Sequence, residues 1–312
     1  MRAVGVALAT YNGERFIEPF LASLREQSYP SIELIVSDDG SKDGTVAKIE
    51  RMWPQAQMHR NAGPSGAVGN FNHALSKITQ RYAVLADQDD VWLPDKIAKL
   101  MAVMEERERA APGVPIMVFS DLRVVDSELK VIDESFVGGA FDRKNDLRLR
   151  DLMINNHVPG CAMLINDALL QRAMPIPQGV MMHDWWLALV AATFGVIAFV
   201  DEPLVLYRQH GSNTLGAPSK RTLTAKWLDR ISAPSNRIKD YRRSAASTCA
   251  TLAIFCERFD DVMPPSARQL FGDVLHRGAI NRLLTLRGAH TRDNFLKSVA
   301  LTALMPRTGP SN

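Results

Sequence analysis

The chain has 312 residues, 46% hydrophobic and 23% charged, with a formal net charge of +3. That is an ordinary globular composition, with room for one large α/β domain or a domain plus an appendage. Three cysteines, Cys161, Cys249 and Cys256, lack metal-ligand spacing and make an odd total; they speak against a disulfide scaffold and fit a reducing compartment.

In chain order, the apolar opening runs into Thr10-Tyr11-Asn12 with no small-residue cleavage site, so residues 4–9 read as a first strand, not a signal peptide. Residues 32–37, 82–86 and 116–120 read as further strands, and 14–27, 45–53, 67–79 and 95–109 as helices. This alternation predicts an α/β fold: a mostly parallel sheet flanked by helices, binding ligands beyond the carboxyl ends of its strands. The pattern becomes irregular from about residue 121, with Gly138-Gly139 and a charged stretch at 142–150 suggesting loop and edge structure. Apolar segments return at 161–165, 185–193, 196–200 and 204–207. The longest apolar stretch, 185–200, is too short for a membrane span and carries Gly195 in its middle. Beyond Gly216 the pattern turns helical, as at Leu275, Ile280, Leu283 and Leu284 and again at Phe295, Leu296 and Val299. Two units are therefore expected, 1–216 and a helical appendage over 217–312. The appendage holds 16 Lys/Arg against 7 Asp/Glu, a charge of +9, leaving −6 on the rest of the chain. A basic tail on an acidic body suggests an anionic partner.

The polar residues at the expected strand ends carry the chemistry. Asp87-Gln88-Asp89-Asp90 crowds three carboxylates behind a buried strand, an arrangement that costs stability unless a positive partner neutralises it, and a hard divalent cation is the commonest such partner. The bland alternative is a polar turn capping the helix that Pro94 begins. The first βα junction, Ala9-Thr10-Tyr11-Asn12-Gly13-Glu14, has one glycine, which weakens a nicotinamide-dinucleotide reading. Its tyrosine and hydroxyl suit a base or a structural hydrogen bond equally well. In the second junction, Asp38-Asp39-Gly40-Ser41, one Asp can turn the chain while the other accepts bonds from a base or ribose. His183-Asp184-Trp185-Trp186 opens an amphipathic helix, where Asp184 is either a dipole partner or a chemical group.

Together, Ala-Thr-Tyr-Asn-Gly (9–13), Val-Ser-Asp-Asp-Gly-Ser (36–41), Asn-Ala-Gly-Pro-Ser-Gly-Ala-Val-Gly-Asn-Phe-Asn (61–72), Ala-Asp-Gln-Asp-Asp-Val-Trp (86–92), His-Asp-Trp-Trp (183–186) and Tyr-Arg-Gln-His-Gly-Ser-Asn (207–213) resemble family 2 glycosyltransferases. The likeness is to the inverting enzymes of the GT-A fold, especially their bacterial rhamnosyltransferase-like branch, and covers roughly residues 3–215. The resemblance implies that Tyr11 and Asp39 hold the nucleotide base, with Thr10 nearby and Arg60 lining the cleft. Asp87 and Asp89 would form the DXD motif, Asp89 binding Mg²⁺ or Mn²⁺ and Asp87 the ribose or the metal's outer shell. Asp90 would be a weaker candidate for either role, or a helix cap. His210 would complete the metal site, with Arg208 and Ser212 as phosphate contacts. Asp184 would be the catalytic base, with His183, Trp185 and Trp186 beside the acceptor sugar, and Cys161 would serve for packing.

The expected function is inverting, metal-dependent transfer of rhamnose or another hexose from a dTDP- or UDP-sugar to a bacterial envelope polysaccharide or lipid-linked acceptor. It would act on the cytoplasmic side, with peripheral membrane association through the basic tail and no nucleic acid partner. The competing readings are a catalytically silent nucleotide-sugar-binding module, which has no need of both Asp89 and Asp184, and a nucleotidyltransferase, which would need a lysine-bearing glycine-rich loop that residues 9–15 lack.

Overall fold

The computed structural model describes residues 2–137, 147–210, 234–286 and 302–306. The expected boundary after Gly216, Gly138-Gly139, Ser212 and the positions Phe295, Leu296 and Val299 lie outside them.

Strands β1 (Val4–Thr10), β2 (Ile32–Asp38), β3 (Gln57–Arg60) and β4 (Tyr82–Asp87) form a parallel half-sheet in the order β3-β2-β1-β4. Helices α1 (Ile17–Arg25), α2 (Thr45–Met52) and α3 (Ala67–Ser76) connect them. A short β5 (Val91–Trp92) and the helix α4 (Lys96–Ala110) follow, then β6 (Ile116–Val125), β7 (Val131–Asp133) and the single-turn α5 (Leu149–Leu152). The domain is completed by β8 (Met163–Asn166), α6 (Asp167–Ala173), α7 (His183–Phe194) and β9 (Val196–Arg208). Strand β8 runs antiparallel between β4 and β6, β9 lies parallel to β6, and β5 closes the far edge against β9.

Alternate residues of these strands feed separate cores on opposite faces, as a sheet buried on both sides requires. In β4, Tyr82, Val84 and Ala86 join one cluster with Ile17, Phe20 and Leu100 of α1 and α4. Ala83 and Leu85 join the other, with Phe71 of α3 and Trp185 to Ala191 of α7. This explains why the strands read as unbroken apolar runs.

The register decides where the site forms. Thr10 stands opposite Asp38, Asp38 opposite Arg60, and Ala9 opposite Asp87, so the strand-end polar residues share one edge. Antiparallel β8 is entered from that same end, which brings the turn Gly160-Cys161-Ala162 beside Asp87. The ladder Val91–Leu206 and Trp92–Val205 draws the acidic turn against the end of β9.

Of the C-terminal helices, α8 (Pro234–Phe259) packs on α7, α9 (Pro265–His276) on α8, and α10 (Ala279–Thr285) on α9. Phe255 and Phe259 meet the Trp186 ring at 5.4 and 5.8 Å, and Thr251 Oγ1 accepts the Met181 N–H at 2.9 Å. No helix among the described residues is long and apolar enough to cross a membrane. Trp186 is fully buried where the helical layer meets α7, so Trp186→Ala is expected to cost about 3–5 kcal/mol in urea denaturation; a cost below about 1 kcal/mol would mean that this layer does not depend on the ring.

Candidate active site

The nucleotide side of the strand edge is organised by Asp38. Its carboxylate accepts the Thr10 hydroxyl at 2.9 Å, the Gly40 and Ser41 N–H groups at 3.0 and 2.8 Å, and the Ser41 hydroxyl at 2.5 Å. Asp38 is therefore the turn-forming member of its pair, and Gly40 takes the left-handed φ of +85° that the turn demands. Asp39 reaches the other way, accepting Asn61 Nδ2 at 2.9 Å and the Gly66 N–H at 2.7 Å, and so pins the 61–66 loop. The expected nucleotide contact by Thr10 does not match its placement: it is buried and its hydroxyl is committed to Asp38. Tyr11, by contrast, is 54% exposed on this edge, and Arg60 is exposed at its end.

The acidic turn divides its charges. Asp89 Oδ2 meets His210 Nε2 at 2.8 Å, and His210 stacks on Phe16 at 4.6 Å. Asp87 instead lies with Asp90 and Cys161, whose ligand atoms all fall within 4.8 Å of one another. Asp90 is no helix cap: α4 starts at Lys96, and Asp90 is fully buried, accepting the Arg208 N–H at 3.1 Å. Arg208 is spent structurally as well, donating to the carbonyls of Asp89 and Ser127 over the Phe16 ring, which corrects its expected role as a phosphate contact.

Lys96 is the buried cation that the sequence reading passed over. Its ammonium donates to the Cys161 carbonyl at 2.6 Å and lies 3.3 Å from the Trp92 ring centroid. Burial lowers its pKa to about 7, against the attraction of Asp90 and Asp87. A signal was available: a lysine in the first turn of a helix opposes the helix dipole, so its presence there implies a compensating acid. Cys161 is packed, as expected, and its thiol and carbonyl also wall this cluster.

Asp184 supplies the opposite side. In the first turn of α7 its Oδ1 accepts the Trp185 N–H at 2.6 Å and its Oδ2 the Gly160 N–H at 3.3 Å, so two main-chain donors aim the carboxylate. Burial raises its pKa to about 6, against those hydrogen bonds. Asp87 is pushed up to about 7, first by burial and then by Asp89 and Asp184, with Lys96 pulling it down. The Asp184 carboxylate, 97 positions further along the chain, thus helps to raise Asp87.

The neighbours of Asp184 depart from expectation. Trp185 and Trp186 are both buried, with their indole N–H groups on the carbonyls of Leu152 and Ala173 at 2.8 and 2.9 Å. They are core residues and offer no open face to a sugar. His183 is buried against Phe71 at 4.0 Å, and burial lowers its pKa to about 3, leaving a neutral wall beside Gly160.

The donor set fits a hard divalent cation: carboxylates in excess, an imidazole beside Asp89, and a buried Asp90 Oδ2 with no hydrogen-bonded oxygen or nitrogen partner among the described residues. The Asp90 side of the cluster already has Lys96 beside it, whereas Asp89 is only half-buried.

The family model described as glycosyl transferase family 2 matches residues 6–171. A dTDP-rhamnosyl transferase, RfbG of Shigella flexneri, is 29% identical over 262 residues, covering 79% of this chain and 84% of that protein. WfgD of Escherichia coli, a UDP-Glc:α-D-GlcNAc-diphosphoundecaprenol β-1,3-glucosyltransferase, is 25% identical over 56% of this chain and 64% of its own length. Among solved structures, S. aureus TarS 1-349 with UDP-GlcNAc aligns over 83% of this chain and 73% of its own, with a TM-score of 0.52 at 17% identity. The mannosyltransferase PcManGT from Pyrobaculum calidifontis, solved with GDP-Man and Mn²⁺, aligns over 97% and 86%, with a TM-score of 0.52 at 21% identity. These neighbours establish the GT-A glycosyltransferase fold.

Removing the Lys96 ammonium leaves the Asp90 carboxyl without its buried counter-charge. Lys96→Met is expected to lose about 3 kcal/mol of unfolding free energy. The double variant Lys96→Met/Asp90→Asn should recover part of that loss, and strict additivity of the two changes in denaturant titrations would show that the pair is uncoupled.

Proposed function

The chain belongs to glycosyltransferase family 2, and from that premise we propose that this glycosyltransferase inverts the anomeric centre of a nucleotide-diphosphate sugar in one displacement, with Asp184 as base. The observation that carries this reading is that one turn touches both carboxylates: the Gly160 N–H bonds Asp184 Oδ2 at 3.3 Å, while the Cys161 thiol lies within 4.8 Å of an Asp87 oxygen. That turn would set the donor-side and acceptor-side carboxylates beside one another.

Asp184 takes the proton from the acceptor hydroxyl while that oxygen attacks the anomeric carbon from the face opposite the diphosphate, and the nucleoside diphosphate leaves. Its pKa of about 6 suits a base that must be ionised near neutrality yet still hold a proton. The Gly160 and Trp185 N–H groups keep the carboxylate aimed, so the proton is taken at a defined place. Asp89, Asp87 and His210 would hold Mg²⁺ or Mn²⁺, which when bound offsets the negative charge developing on the leaving diphosphate. Tyr11 and Asp39 hold the base, and Arg60 stands at the same edge. On the acceptor side, the half-buried Asp184 and the Gly160 turn face the cleft, with the His183 ring as a neutral wall.

A dTDP-rhamnose donor is supported by the similarity to RfbG, and a lipid-linked or growing envelope glycan as acceptor by the similarity to WfgD. The basic 217–312 region favours work at an anionic cytoplasmic membrane face.

Incubation with a panel of dTDP-, UDP- and GDP-sugars, reading released nucleoside diphosphate with and without Mn²⁺, tests the reading. Cation-dependent release from a dTDP-sugar is the expected result, whereas release that is unaffected by chelation contradicts the metal assignment. Asp184→Asn is expected to lower kcat by about 10²–10⁴-fold with donor binding retained; undiminished turnover removes the base assignment. Because the raised pKa leaves Asp184 protonated below it, log kcat should fall as pH drops through about 6 and level off above it. A pH–rate profile that is flat between pH 5 and 8 would contradict ionised Asp184 as the base.

A further inference from the structure

The one neutral residue of the acidic run, Gln88, has no part in the chemistry above, yet it makes a two-point contact with the loop 77 positions earlier. Its Oε1 accepts the Tyr11 N–H at 3.0 Å, and its Nε2 donates to the Tyr11 carbonyl at 2.9 Å. A primary amide carries the same donor–acceptor pair as a peptide unit. The backbone pairing of β1 with β4 ends at Ala9–Asp87, so Gln88 adds a rung with its side chain where the strands part. The loop is shaped around that amide. Asn12 takes a left-handed φ of +45°, and a Cβ on Gly13 would come within 2.2 Å of Gln88 Oε1, so the chain curls over the side chain at a residue that has none.

Tyr11 is the exposed aromatic on this edge, while Asp87 and Asp89 flank Gln88 in sequence. We propose that Gln88 is a positioning residue for the donor: it clamps the Tyr11 main chain to the carboxylate turn, and so sets the distance between the base-stacking ring and the diphosphate end of the site. The proposal rests on the reading that Tyr11 takes the nucleotide base. It makes the spacing between the two ends of a nucleoside diphosphate a property of one neutral side chain. A carboxylate at position 88 would keep the bond from the Tyr11 N–H, lose the donor to the Tyr11 carbonyl and add negative charge beside the diphosphate.

The test is a double-mutant cycle on the full chain with Gln88→Met and Tyr11→Ala, titrating dTDP and UDP in the presence of Mn²⁺, and Mn²⁺ alone, by calorimetry. Gln88→Met is expected to weaken nucleoside diphosphate binding about tenfold, the size expected for losing two main-chain hydrogen bonds that hold the ring in place. Donor KM should rise in step, kcat at saturating donor should hold, Mn²⁺ binding alone should be unchanged, and Gln88→Met should add nothing in the Tyr11→Ala background. Nucleotide binding at wild-type strength in Gln88→Met, with Tyr11→Ala weakened, overturns the clamp and leaves the base reading intact. An equal loss in both backgrounds also overturns it, since Gln88 would then act by another route. If Tyr11→Ala binds nucleotide normally, the base reading fails and takes the clamp with it. Should Gln88→Met not fold, Gln88→Asn enters the same cycle: it keeps a neutral amide one methylene short of the Tyr11 main chain, so a loss that vanishes in the Tyr11→Ala background is again expected.

Discussion

Everything in this site follows from confining the carboxylates of Asp87, Asp89 and Asp90 to one turn at the end of a buried strand. Such a group is stable only if each charge is met separately. The interior meets Asp90 with the Arg208 N–H and the Lys96 ammonium, while burial and the carboxylates of Asp89 and Asp87 still push its carboxyl well up. The rim meets Asp89 with His210. Asp87 is pushed up first by its burial and then by the carboxylates of Asp89 and Asp184, with Lys96 pulling it down. On the proposed reading, burial and like-charge repulsion would make the turn a receptor for a cation accompanying an anionic donor.

The fold delivers this arrangement through register. Parallel pairing of β1, β2, β3 and β4 lines up Thr10, Asp38, Arg60 and Asp87. One antiparallel strand, β8, then brings the Gly160 turn back to the same edge, where its N–H aims Asp184. The short ladder between β5 and β9 ties the acidic turn to Arg208, and His210 follows two residues later. The two cores on either face hold the sheet but contribute little to chemistry, whereas strand ends and turns contribute nearly all of it. This division suits a fold whose loops can vary on a rigid scaffold.

Much of this was legible because buried parallel strands leave short unbroken apolar runs. Each of the four strands read in the first 120 residues exists, with β6 continuing five residues further, to Val125. Edge strand β3, Gln57–Arg60, escaped because it is polar and only partly covered. The segments 196–200 and 204–207 read as two strands but form one, β9, since the irregular pairing around Asp121 accommodates Pro203 without ending the strand. Within the site, sequence order gathers Asp87, Asp89 and Asp90 but cannot say which faces inward. That depends on Lys96 and Cys161, brought there by α4 and by the turn before β8. The tryptophans failed as sugar platforms for a related reason: a helix apolar nearly all round is a buried helix, and α7 is one.

In the proposed reaction Asp184 and the acidic turn are the acceptor-side and donor-side halves of one site, and a single displacement between opposed halves has a stereochemical signature that no binding measurement carries. The anomeric configuration of the first-formed product, read by proton NMR during turnover of a nucleotide sugar of known anomer, therefore tests the account most directly. Inversion relative to the donor is the predicted result. Retention would require a covalent intermediate or a same-face attack and would contradict Asp184 acting as base from the face opposite the diphosphate.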